Sequence, residues 1–248
     1  MEIEMDEVER LMDMAPISVD KVRTMLPESL HEFFVERGPL GMPAFFHPLY
    51  HDPFFHPCKM TVDRVIGCVE SKTERIQELA KEKNLGSIVS LYDKPYRLDA
   101  FVEWGSKFCR KWPVGYYRLL GEVWRGSENI HQQFKDWFRL WSTVELSGNA
   151  TKVMDAADRK FLSVVQNSAD ESGRVMLFRG SCPKGKRGLS WSFSHDKAKW
   201  FSQRMIKNGK VWATSIPADK LLVGFVSRGE SEVLPCPSIL RSLKITHE

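Results

Sequence analysis

The sequence predicts an α+β protein, in which a helical N-terminal region is followed by a small strand-rich core. Three observations carry this. Apolar residues recur at three- and four-residue spacing through most of the first 170 positions, the period of an amphipathic helix. After Gly173 the period changes to two, most visibly in Leu189-Ser190-Trp191-Ser192-Phe193-Ser194. Charge changes with it: residues 1–150 hold 19 Lys+Arg against 23 Asp+Glu, a net of −4, and residues 151–248 hold 17 against 9, a net of +8. The expected division is therefore a helical region over 1–150 and a basic core over 151–248. A chain of 248 residues with 42% hydrophobic residues can bury a sizeable interior.

The helices follow in order. Val19 to Met25 is short and stops before Pro27, and Pro27 to Arg37 restarts, with Pro27 suited to a first turn and Gly38 to the stop. Phe45-Phe46-His47-Pro48 recurs as Phe54-Phe55-His56-Pro57 in a proline-rich stretch, which reads as irregular chain. Thr61 to Lys83 is the strongest helix, with Thr61 as cap and Val62, Val65, Ile66 and Val69 as its apolar stripe. Leu98–Lys107, Val114–Trp124, Asn129–Trp141 and Lys152–Gln166 complete the helical part. The aromatic run from Trp112 to Trp141 has helical spacing and reads as core.

The strands begin with Arg174 to Arg179. In Leu189–Ser194 the two-residue period sends Leu189, Trp191 and Phe193 to a packing face and Ser190, Ser192 and Ser194 to the other. Asp196 to Ile206 is a helix with Ala198, Phe201 and Met205 on one face. Lys210–Ile216, Leu222–Val226 and Glu232–Leu234 are the remaining strands.

Three features of this core suit ligand chemistry. Arg179 ends an apolar strand and is followed by Gly180; a guanidinium binds phosphate in a planar, two-point manner, and a glycine admits close approach to the backbone. Ser190 and Ser192 offer hydroxyls from one face of a strand. Glu230 and Glu232 are two apart, so an extended chain points both carboxylates the same way, roughly 6.5–7 Å apart. Two like charges on one face are a poor stability device and make sense beside something cationic. The basic charge of residues 151–248 suits a dinucleotide, a nucleic acid or an acidic protein face.

Taken in order, Phe178-Arg179-Gly180, Gly188-Leu189-Ser190-Trp191-Ser192, Trp200-Phe201 and Arg228-Gly229-Glu230-Ser231-Glu232-Val233-Leu234 resemble the Arg–Ser–Glu class of mono-ADP-ribosyltransferases, especially a compact bacterial and phage branch. The resemblance spans roughly residues 174–235. It implies a split β-sheet core and an enzyme that uses NAD as co-substrate and transfers ADP-ribose to a target protein. Arg179 would anchor NAD beside Gly180, Ser190 would brace the nicotinamide side with Ser192 in support, Glu232 would be the catalytic glutamate and Glu230 would orient the acceptor. A glutamate at the place of Glu230 accompanies arginine acceptors in that class, so an acceptor arginine is expected and a nucleic acid is not favoured. The chain departs from toxin-type members in one respect: only ten residues separate Arg179 from Ser190, where those carry a longer connection. Such activities belong to toxins, effectors or phage proteins that modify a host. A non-catalytic binding module and an NAD glycohydrolase are the alternatives.

Other groups have blander readings. His47, His51, His56 and Cys58 could supply four zinc ligands, but the spacing matches no standard finger and three prolines interrupt it. No metal is therefore assigned. Lys184, Lys186 and Arg187 form a basic knot suited to a pyrophosphate or to solvent. His195 reads as a helix-start histidine. Five scattered cysteines without a CxxC pair, an acidic start and no long apolar run predict a cytoplasmic protein, of the producing or the host cell, without a membrane span.

Overall fold

A serine cap and a proline stop define the first helix, α1 (Val19–Met25). The Ser18 hydroxyl accepts the Lys21 amide at 3.2 Å, and Pro27 follows the last turn. The computed structural model describes residues 13–108, 113–127, 130–204, 208–226, 229 and 231–247. Among them the protein is mixed helix and sheet, the expected α+β class, and it divides into two compact units, Met1–Arg110 and Lys111–Glu248. The division precedes the expected one: position 150/151 lies inside the second unit.

In the first unit, the helix expected over Pro27–Arg37 is a 3-10 turn, Glu28–Phe33, followed by strand β1 (Phe34–Val35). Phe34 pairs with Phe45 and is buried, so the chain leaves the helix to place an aromatic ring in a sheet. The proline-rich stretch is likewise ordered. Strands β2 (Ala44–His47) and β3 (Tyr50–Asp52) form a hairpin closed by Pro48-Leu49, in which His47 faces Tyr50. The proline sits in the turn, where no ladder hydrogen bond is asked of it. Helix α2 (Lys59–Lys81) begins two residues before the expected Thr61, with Cys58 at the cap position. It buries Val62, Val65 and Val69 against Val22, Leu26, Leu30, Phe34, Phe45 and Phe55. Helices α3 (Leu85–Leu91), which carries no strong sequence signal, and α4 (Arg97–Phe108) complete the unit.

The second unit opens with helices α5 (Val114–Gly126) and α6 (Phe134–Ser147). The helix expected over Lys152–Gln166 is two, α7 (Ala150–Val153) and α8 (Ala156–Asn167). Met154 is extended and the Asp155 carboxylate accepts the Asp158 amide at 2.9 Å, so a new N-terminus is capped inside the periodic run. The six strands are β4 (Arg174–Ser181), β5 (Trp191–Ser192), β6 (Lys210–Pro217), β7 (Leu221–Phe225), β8 (Glu232–Pro235) and β9 (Ile245–His247). They form one antiparallel sheet in the order β7-β8-β5-β4-β6-β9. Helix α9 (His195–Gln203) lies between β5 and β6 in sequence, with the Ser194 hydroxyl capping its first turn.

Two features of this sheet place the site. β4 runs along β6 for its full length, yet meets β5 at one register position, Phe178 opposite Ser192. The expected serine strand is therefore only two residues long, and Trp191 and Ser192 are both buried. The alternation does not mark a wet edge, because β5 is flanked by β4 and β8.

Candidate active site

Arg179 follows the single β4–β5 pair, and from there the connection between the strands is made by its side chain. Its Nε–H donates to the Gly185 carbonyl at 2.8 Å and its Nη1–H to the Ser190 carbonyl. The loop from β4 to β5 is thus wrapped around a guanidinium. Gly188 gives the guanidinium its place: a Cβ there would lie 2.2 Å from Arg179 Nη2 and displace it. Burial pushes the Arg179 pKa down to about 10 against the opposing pull of Glu232, so the group remains a cation at neutral pH.

Gly180 also meets a close approach. A Cβ would stand 2.0 Å from the Ala198 carbonyl oxygen, so the glycine lets α9 lie directly on β4. The neighbour it admits is the protein's own helix.

Glu232 opens β8, facing Ser192 on one side and Phe225 on the other. Its Oε2 accepts the Trp124 indole N–H at 3.1 Å. Trp124 comes from α5, outside the strand-rich segment, and is 1% exposed. Its ring meets Trp137 and Trp141 edge-on, at centroid distances of 4.8 and 5.3 Å. The Ser192 hydroxyl accepts the Ser194 amide at 3.1 Å, and the Phe193 amide donates to the Ser231 carbonyl at 3.0 Å. Ser231 itself is left-handed, with φ 49°. Glu230 lies outside the described residues.

Arg179, Gly180, Ser190, Ser192 and Glu232 all line one cleft of about 1090 Å³. One wall is the loop Lys184–Ser190. The other wall comes from α6 and the chain before it: Ile130, His131, Phe134, Lys135 and Phe138. The aromatic run has two faces on α6. Trp137, Leu140, Trp141 and Val144 are buried, while Phe134 and Phe138 turn to the cleft. The i, i+4 spacing of each pair was a usable signal for two stripes rather than one core face. Among the described lining residues, Lys135, Arg179, Lys184, Arg187, Arg204 and Arg241 are cationic and Glu232 is the one carboxylate. Such a field favours an anionic ligand, with a single negative group at a fixed place.

The basic knot is divided in use. Arg187 Nη1 donates to the carbonyls of Leu240, Arg241 and Leu243, tying the loop to the C-terminal turn. Lys186 lies over the Trp212 ring at 5.6 Å, and Lys184 is exposed on the cleft wall. His195 stands edge-on to Phe178 at the start of α9, 5.1 Å between centroids. In the first unit, His47 Nδ1 accepts the Leu49 amide at 3.1 Å and Cys58 Sγ lies 3.1 Å from the Thr61 hydroxyl. No group of three or more His, Cys, Asp or Glu suited to a metal occurs among the described residues. Nor does any described helix have the length and apolarity to cross a membrane.

Comparison with known proteins returns no matching family model, curated protein or solved structure.

Proposed function

We propose that the second unit is a mono-ADP-ribosyltransferase, which transfers ADP-ribose from NAD to a protein side chain, with arginine as the first acceptor to test. The observation that carries the proposal is the gathering of Arg179, Ser190, Ser192 and Glu232 on one cleft, although sequence separates them by up to 53 positions (232 − 179). The cationic lining suits the pyrophosphate of a dinucleotide. Glu232 then stands as the carboxylate beside the sugar.

The chemistry gives that carboxylate its purpose. Breaking the bond between nicotinamide and ribose develops positive charge on the sugar. A fixed carboxylate is complementary to that charge and not to the ground state. Glycosidases place carboxylates beside a sugar for the same reason. Glu230 is proposed to hold the acceptor guanidinium, which is a poor nucleophile while protonated and gains from a polarising carboxylate.

Two substitutions separate these roles. Glu232→Gln keeps size and loses charge; release of nicotinamide and labelling of protein both fall by about two to three orders of magnitude. Glu230→Gln loses labelling of protein arginine and keeps most of the release into water. Free nicotinamide and protein-bound label are measured together, with and without a cell lysate. Equal release in both conditions identifies a glycohydrolase. Absence of release from the wild-type protein in either condition removes the transferase reading and favours a binding module. Full activity of Glu232→Gln removes it as well.

A further inference from the structure

We infer that Trp124 is a positioning residue for Glu232, holding its carboxylate in the cleft from behind the wall. This rests on the reading of Glu232 as the carboxylate that faces the reacting sugar. A glutamate has three rotatable side-chain bonds, so a β-strand alone fixes its Cα and not its charge. Here the backbone of Glu232 is held between Ser192 and Phe225, and the charge is held by an indole.

The donor is rigid. Trp124 is buried and clasped edge-on by Trp137 and Trp141. A hydrogen bond to an ionised acceptor is about twice as strong as a neutral one. Of the three tryptophans in contact, Trp137 and Trp141 have buried indole N–H groups without a hydrogen-bond partner among the described residues. Trp124 directs its own at a cleft carboxylate instead. A buried indole N–H seeks an acceptor, and the one Trp124 finds is the carboxylate that lines the cleft.

The next residue on α5 holds the other end of the same segment. Arg125 Nη1 donates to Asp158 Oδ2 at 3.0 Å, and Asp158 Oδ1 accepts the Val226 amide at 3.0 Å. Val226 precedes the stretch leading to Glu232, and Trp124 grips Glu232 at its far end. The last turn of one helix therefore fixes both ends of the connection between β7 and β8. Trp124 itself does not line the cleft, so a ligand there meets its effect only through Glu232.

The test uses the full chain. Trp124→Phe keeps an aromatic ring and removes the N–H. For nicotinamide release from NAD, kcat falls about tenfold to a hundredfold, the scale of one hydrogen bond to a charged group. KM for NAD stays within about twofold, because ground-state contacts are untouched. Unchanged kcat in a folded Trp124→Phe overturns the inference, as does a loss confined to KM. A second measurement leaves the packing of Trp124 intact and needs no activity. In the amide–indole NMR spectrum of the wild-type protein, the Trp124 resonance is assigned through its own backbone and its contacts with the Trp137 and Trp141 rings. Glu232→Gln moves that resonance upfield, because the charged acceptor is gone. A resonance that does not move overturns the contact, including when Trp124→Phe fails to fold. Absence of nicotinamide release from the wild-type protein overturns the transferase reading instead, while the indole resonance still reports on the contact.

Discussion

In the first unit the interior is built from Val22, Leu26, Leu30, Phe34, Phe45, Phe55, Val62 and Val65, and among the described residues Thr61 is its one buried polar side chain. The second unit encloses Ser127, Asp158, Ser181, Ser192, Ser202 and Thr214. Burying a polar group costs free energy unless a partner is supplied, and each of the six has one. Ser127 donates to Val123 O, Ser202 to Lys199 O and Thr214 to Lys244 O. Ser181 donates to Cys182 O, Ser192 accepts from Ser194, and Asp158 bridges Arg125 and Val226. The first interior is almost wholly apolar, whereas the second adds to its apolar contacts a set of bonds that also fix angles. Angular definition is what a cleft that sets Glu232 among cations requires.

The comparison breaks most visibly at the boundary. A fragment of residues 111–248 is expected to unfold cooperatively, whereas 151–248 is expected to show no folded baseline by circular dichroism. The shorter piece lacks α5 and α6, and with them Trp124, Trp137 and Trp141, whose side chains are each at most 1% exposed in the whole protein. A folded and active 151–248 fragment would restore the division first expected from the charge pattern.

The next largest effect tests the directional interior. Asp158→Ala leaves Arg125 without its buried partner and the Val226 amide without an acceptor. Removing one side of such a pair costs about 3–5 kcal/mol, read as a lower urea midpoint for the second unit. A loss below about 1 kcal/mol would place the pair with exposed ion pairs, which contribute that little.

A smaller change tests the first unit. Leu30→Ala deletes buried methyl groups and costs about 2–5 kcal/mol by transfer and cavity terms. Nicotinamide release by the folded fraction is expected to stay at the wild-type level. A fall in turnover at full folding would show that the apolar interior also shapes the chemistry.

Much of this was legible from residues. The bounds of α1 match expectation, because the stop before Pro27 is local in sequence, while the Ser18 cap was found only in the structure. β4, β6, β7 and β8 fall within about two residues of expectation, since a short apolar run bounded by turn residues is also a local signal. The hairpin of β2 and β3 was hidden by its prolines, which lie in turns and not in the ladder. The serine strand is shorter than its pattern because alternation reports side-chain chemistry, whereas only Trp191 and Ser192 find ladder partners on β4 and β8. The residue pair Trp124 and Glu232 is separated by 108 positions, and no local pattern links such residues. Arg179, Ser190, Ser192 and Glu232 were identifiable as candidates; what holds them was not.

The loop gathered around Arg179 has a consequence for how a ligand would be received. A connection between strands ordinarily gives up its conformational entropy when a ligand orders it, and affinity falls by that amount. Here the carbonyls of Gly185 and Ser190 are already committed to the guanidinium, and Gly188 lies flat against it. Ordering of that wall accompanies folding rather than association. An anion reaching Arg179 would meet the remaining N–H groups of a guanidinium whose orientation is set in advance, so binding there needs no closing motion of this loop.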